Sequence, residues 1–251
     1  MLRIEGLTVG YGGEPILEGV ALAVQPGQFV SLVGPSGSGK TSILRAVTRL
    51  LEPQHGSITL DIPPADIGFL FQDDALLPWR TVRANVSLGL RIRGVPAAEA
   101  AGRADAWIAS LGLEGLGDRF PRQLSGGQRK RVALAQVLAL EPRLLLMDEP
   151  FASLDAIVRV RITEELLGWV ERKHLTVLLV THDLEEAVTL SDAVYVLSGG
   201  PRAAIRARHA IDIPRPRHVL ASRADQRFAP LVQRLWHDLG GDLPETARVS
   251  R

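Results

Sequence analysis

The sequence predicts an α/β fold, a parallel sheet covered by helices with an α-helical insertion. Three observations point to it. Short, nearly continuous apolar runs alternate with longer stretches of helical period. Three of these runs are each followed at once by a polar group capable of chemistry, and ligands of open α/β sheets bind at the carboxyl ends of strands. Between Gln72 and Glu141 the strand signals give way to segments rich in Ala, Leu and Arg.

The runs are Phe29-Val30-Ser31-Leu32-Val33, Leu144-Leu145-Leu146-Met147 and Thr176-Val177-Leu178-Leu179-Val180. Their lack of polar alternation marks central strands, buried on both faces. The groups that follow them are the Gly-rich stretch from Gly34, then Asp148-Glu149, then Thr181-His182. Further on, Ile213-Pro214-Arg215-Pro216-Arg217 is a breaker cluster that ends the core. The expected organisation is one domain over 1–251, with core segments 1–72 and 141–212, a helical subdomain 73–140 and a C-terminal extension 213–251.

A chain of 251 residues with 46% hydrophobic composition can bury one sizeable core, and two full domains are not expected. The 29 Lys and Arg residues against 28 Asp and Glu leave a net charge of +1, so no bulk attraction to nucleic acid or anionic membrane is built in. The lack of cysteine excludes disulfides, thiolate nucleophiles and Cys-ligated metals. The start, Met1 to Glu5, has no long apolar core of a secretory signal, and no stretch approaches the ~18 apolar residues of a membrane span. The chain is therefore expected to be soluble, or membrane-attached only through partners.

Gly34-Pro35-Ser36-Gly37-Ser38-Gly39-Lys40-Thr41 matches the phosphate-loop pattern G-x-x-x-x-G-K-[ST] at every fixed position. It follows a strand and precedes a segment, starting with Thr41 and Ser42, that carries Ile43, Leu44, Val47 and Leu50 at helical spacing. Glycines let backbone N–H groups curl around phosphate oxygens, and the helix N-terminus adds partial positive charge. Lys40 is expected to reach the β and γ phosphates, and Thr41 to offer its hydroxyl to Mg²⁺. Asp148 and Glu149 are adjacent carboxylates of alternating direction, so they can take different roles. Asp148 is the candidate for the Mg²⁺ shell and Glu149 for polarising the attacking water. His182, just past the next strand, is a candidate γ-phosphate contact.

Leu124-Ser125-Gly126-Gly127-Gln128 precedes the apolar-periodic residues Val132, Leu134, Ala135 and Leu138. A hydroxyl and bare N–H groups at a helix start can grip an anion. This pentapeptide resembles the signature sequence of the ATP-binding cassette (ABC) ATPases. Tyr11 resembles the family's adenine-stacking aromatic, Gln72 its glutamine that contacts Mg²⁺ and water, and Ser153-Leu154-Asp155 its loop across the dimer interface. The resemblance implies a P-loop NTPase (RecA-like) core and a head-to-tail homodimer. In it each ATP, with Mg²⁺, lies between the Lys40 loop of one subunit and Ser125, Gly126, Gly127 and Gln128 of the other. It implies Glu149, His182 and Gln72 as catalytic groups and Thr41, Gln72 and Asp148 around the metal.

The run Leu76-Leu77-Pro78-Trp79 resembles the nitrate, sulfonate and taurine importer group, and thiamine-precursor importers share it. This likeness implies a motor bound to transmembrane permease subunits at the cytoplasmic face of the membrane. A solute-binding protein would be engaged indirectly, and nucleic acid would not. Leu76, Leu77 and Trp79 either meet the permease or pack internally. Gln136 where arginine is frequent, His218 where aspartate is common and a short 61–66 stretch depart from the pattern. A non-transport ABC ATPase and a P-loop kinase are the rival readings. Arg202, Arg206, Arg208, Arg215 and Arg217 form a basic stretch, read as a solvated face rather than a lipid contact.

Overall fold

The computed structural model describes residues 1–152 and 154–240. Its strands are β1 (Leu2–Tyr11), β2 (Glu14–Val24), β3 (Phe29–Val33), β4 (His55–Leu60), β5 (Ile67–Leu70), β6 (Leu144–Asp148), β7 (Thr176–Thr181), β8 (Ala193–Leu197) and β9 (Ile205–Ala210). Its α-helices are α1 (Lys40–Val47), α2 (Val82–Val86), α3 (Leu88–Ile92), α4 (Ala97–Ser110), α5 (Gly126–Leu138), α6 (Ala156–Lys173), α7 (Leu184–Leu190), α8 (Val219–Ala224) and α9 (Phe228–Asp238). They fall into two compact units, Met1–Asp61 with Thr176–Arg251, and Ile62–Leu175.

In the first unit β1 pairs antiparallel with both β2 and β4. Strands β7, β3, β8 and β9 lie side by side in that order. Strands β3 and β7, and β3 and β8, run parallel, while β9 returns antiparallel to β8. Every residue of β3, β7 and β8 is buried, which is why their sequences are apolar on both faces. The expected strands at 29–33 and 176–180 are thus present.

Helix α1 is shorter than the spacing suggested. It ends at Val47, the Thr48 hydroxyl donates to the Leu44 and Arg45 carbonyls, Arg49 turns to φ 59°, and Leu50 is left 64% exposed. The hydroxyl competes for the last carbonyls and closes the helix.

The segment after β9 is fastened rather than solvated at Arg215 and Arg217, a correction to the basic-stretch reading. Arg217 is buried and donates to Asp192 Oδ1 (2.9 Å) and to the Leu190 and Ile213 carbonyls. Arg215 donates to Asp192 Oδ2 (2.6 Å), which also accepts the Phe29 N–H at the start of β3 (2.8 Å). Beyond this clasp, Phe228, Leu231 and Leu235 of α9 pack with Val188 of α7 and Val194 of β8. Arg206 and Arg208 are exposed, in keeping with a solvated face there.

In the second unit β5 and β6 are parallel and lie among α2 to α6. All of β6 is buried, as expected for 144–147. The buried Asn85 shapes the turn before α2: its Oδ1 accepts the Leu77 N–H (2.8 Å), and its amide donates to the Leu77, Arg80 and Thr81 carbonyls. That turn presents Trp79 at 71% exposure, whereas Leu76 and Leu77 are half-buried.

Burial by itself raises the pKa of Asp192, but hydrogen bonds from Arg215 and Phe29 N–H and the charges of both arginines outweigh it and hold the carboxyl below its ordinary value. Its contribution is therefore full above the usual carboxylate range and is lost as pH falls through the depressed pKa. Asp192→Ala strands a buried guanidinium and should lower stability by about 3 kcal/mol in urea unfolding. A loss below the measurement error would show that the clasp is not needed.

Candidate nucleotide site

The first unit holds Tyr11, the 34–42 loop and His182. Strand β3 delivers the chain into the loop, and α1 begins at Lys40. The turn between them depends on Gly39, at φ 89°, where a Cβ would come 2.7 Å from the Ile16 side chain. Only glycine takes this left-handed conformation at so tight an approach. Ser42 and Ile43 donate their N–H groups to the Gly39 carbonyl, which starts the helix. Pro35, Ser36 and Gly37 are exposed, Gly34 and Ser38 are buried, and Thr41 is half-buried. The Ser38 Oγ has no hydrogen-bond partner among the described residues.

Lys40 is 5% exposed, and its ammonium donates to the Gly34 and Pro35 carbonyls at 2.8 Å each. The loop's own carbonyls thereby keep a positive charge beside backbone N–H groups at a helix start, an arrangement suited to a polyanion. Tyr11 closes β1 with its ring half exposed, and Arg45 of α1 donates to its hydroxyl (3.1 Å). Hydrogen bonds from Arg45 and Ser42 pull the phenol pKa below its ordinary value. The ring is therefore held beside the helix that carries the loop. His182 is exposed between β7 and α7, in a turn where the Asp183 N–H donates to Thr181 Oγ1 (3.0 Å) and Asp183 caps α7.

The second unit holds Gln72, Ser125 to Gln128, Asp148, Glu149 and Asp155. Ser125 is the N-cap of α5: its Oγ accepts the Gln128 N–H (3.2 Å), and the Gln128 side chain accepts the Ser125 N–H (2.9 Å). This reciprocal capping box accounts for Gln128 as a structural residue. Gly127 lies so close to α6 that a Cβ would meet the Val158 side chain at 2.8 Å. Asp155 is the N-cap of α6, with Oδ1 accepting the Val158 N–H (3.0 Å). Ser153, named with it in the interface loop, lies outside the described residues. Asp148 is buried at the end of β6. Glu149 follows in the left-handed region at φ 43°, a costly conformation for a non-glycine residue and one found disproportionately at functional sites.

Gln72 lies exposed just past β5. Its backbone is held by Lys130, a residue that the sequence reading passed over. Lys130 is 2% exposed and donates to the Gln72 and Phe71 carbonyls at 2.8 and 3.2 Å. Its only sequence signal is a cation five residues after the α5 cap, between two arginines. Arg45 was equally invisible, since its partner is 34 residues away.

Comparison with known proteins places this geometry in a family. The family model described as ABC transporter matches residues 17–152. The chain is 45% identical over 208 residues to the taurine import ATP-binding protein of Pseudomonas putida, covering 80% of this chain and 79% of that one. It is 43% identical over 240 residues to an aliphatic sulfonates import ATP-binding protein of Mesorhizobium japonicum, covering 96% and 92% respectively. A dimeric ATP-binding cassette solved in a post-hydrolysis state with ADP and Pi superposes with a TM-score of 0.75 at 30% identity, over 85% of this chain and 100% of that one. The buried lysine in its phosphate loop, the serine-capped α5 and these likenesses together make the chain a member of the ABC transporter ATP-binding family.

Proposed function

We propose that the chain is the ATP-hydrolysing subunit of an importer for a small sulfonate-type solute such as taurine. The observation that carries the reading is the likeness to the aliphatic sulfonates import protein, which runs through 96% of this chain. The placement of Lys40 at the mouth of the 34–39 loop supports the nucleotide part of it.

In this reading the N–H groups of Gly37 to Thr41 take the phosphate chain, Lys40 leaves the loop carbonyls for the β and γ phosphates, and Tyr11 stacks on adenine. A water molecule attacks the γ-phosphorus, the bond to the β-bridging oxygen breaks, and ADP and phosphate result. Glu149 takes or orients the water proton, Gln72 fixes the water, and His182 contacts the γ-phosphate. Thr41 and Asp148 offer hard oxygen donors of the kind Mg²⁺ takes together with phosphate oxygens, and with Gln72 they would hold it. Bound there, Mg²⁺ supplies neutralisation of phosphate charge.

Each site is completed by Ser125, Gly126 and Gly127 of a second copy, so ATP binding closes a head-to-tail dimer and hydrolysis releases it. Permease subunits feel that movement. Their landing place is the second unit's surface, which carries the exposed Trp79 and a cleft of ≈ 270 Å³ lined by Phe71, Asp74, Leu88, Ile92 and Val137. Trp79 and Ile92 are 71% and 78% exposed, as an apolar partner contact requires. No α-helix among the described residues is long and apolar enough to cross a membrane. In this reading the permease partners hold the chain at the cytoplasmic face, and a solute-binding protein supplies them from the other side.

The test is transport by the chain reconstituted with its membrane partners in vesicles: ATP-dependent uptake of taurine or an alkanesulfonate supports the reading, and uptake of unrelated solutes alone refutes the substrate class. Glu149→Gln should cut steady-state ATP turnover by roughly 100-fold or more while binding ATP normally and accumulating as a dimer on size exclusion. Near-normal turnover would remove Glu149 from its role. Ser125→Arg should leave nucleotide binding by the monomer within about twofold yet abolish the ATP-dependent dimer. A dimer that persists at wild-type ATP concentrations would sink the signature assignment.

A further inference from the structure

The most heavily buried cation of the second unit has no place in the mechanism above. Lys130 stands in the second turn of α5, its side chain 3% exposed, five residues after the Ser125 cap. Its ammonium has three N–H donors. Two of them go to the backbone carbonyls of Gln72 and Phe71, at 2.8 and 3.2 Å, and Asp74 Oδ1 lies 3.8 Å away. The neighbouring Arg129 donates from Nε to Asp74 Oδ2 (3.3 Å) and from Nη1 to the Leu124 carbonyl (2.9 Å).

Two consecutive residues of α5 thus grip residues 71–74, the segment that carries Gln72, while the same helix presents Ser125 at its tip. A buried ammonium is costly, and packing alone would be served as well by methionine or leucine. What the ammonium adds is direction: its donors fix two carbonyls and so the path of the backbone from which the exposed Gln72 side chain projects.

We infer that Lys130 is a positioning residue that ties the Gln72 segment to the helix starting at Ser125, so that engagement of Ser125 by a second subunit's nucleotide sets Gln72 for hydrolysis. The inference rests on the roles proposed above for Gln72 and Ser125. The tether is local: both ends lie in one compact unit, and no moving part needs to lie between them.

The experiment uses the full chain and Lys130→Met, which keeps the length and apolar stem of the side chain and removes its donors. The expected kcat for ATP is roughly tenfold lower with KM within about twofold, the split that marks an interaction made in the transition state rather than in binding. Hydrogen exchange of the 71–76 backbone without nucleotide should speed up, a readout independent of turnover. In the double variant with Gln72→Ala, kcat should be no lower than in Gln72→Ala alone, because both changes remove one function. A wild-type kcat and exchange rate in Lys130→Met would overturn the tether, as would a double variant whose loss is the product of the two single losses. A wild-type kcat in Gln72→Ala would instead bring down the role given to Gln72, and this inference with it. Should Lys130→Met fail to fold, Lys130→Gln, whose shorter amide reaches fewer acceptors, goes through the same cycle with the same expected outcomes.

Discussion

The chain must pass from the end of a fully buried strand through a tight turn into a helix start, and the rest of the molecule is arranged around that constraint. Strand β3 is flanked by parallel strands on both sides, so its end is fixed to within the packing of the sheet. Gly39 allows the turn, and α1 takes over immediately with Lys40 as its first residue. The Lys40 ammonium, in a 5% exposed position, donates to two loop carbonyls. A polyanion that enters the loop offers that ammonium stronger acceptors than the carbonyls it leaves. The clasp of Arg215 and Arg217 on Asp192 serves the same sheet from the other end, since Asp192 also accepts the N–H of Phe29, where β3 begins.

The second unit repeats the idea of an oriented helix start with different parts. Helix α5 is opened by a serine cap and a glycine pair rather than by a phosphate loop, and Gly127 lets it lie against α6 at Val158. Lys130, one turn along, turns this helix into a handle on residues 71–74. In the proposed reading, the helix end that meets a second copy's nucleotide and the glutamine that fixes the water then belong to one compact unit, which is a simple way to make chemistry wait for assembly.

The fold was legible where physics is local. Fully buried strands read as unbroken apolar runs, so β3, β6 and β7 were readable almost to the residue, although β8, equally buried, was not singled out. The antiparallel strands β1, β2 and β4 were not singled out, because they are half exposed and interrupted by register shifts, which blurs the period of two. Residues that belong to dense motifs, such as Gly34 to Thr41 and Ser125 to Gln128, were visible because several residue types recur at fixed spacing. Lys130 and Arg45 were not, because their partners lie 34 to 59 residues away, for Lys130 chiefly backbone carbonyls that carry no sequence identity. Arg217 was named but misread as solvated, because Asp192, the carboxylate it clasps, is 25 residues away. Leu50 misled for the opposite reason: its spacing fits a helix that Thr48 had already ended.

The central claim is that each catalytic site is shared between two copies of the chain. The most direct test is the ATPase rate of the purified chain as a function of its own concentration, with the monomer–dimer state followed by sedimentation. The account predicts that specific activity rises with protein concentration in proportion to the dimer. A specific activity that stays constant across a range in which the protein is shown to remain monomeric would contradict it.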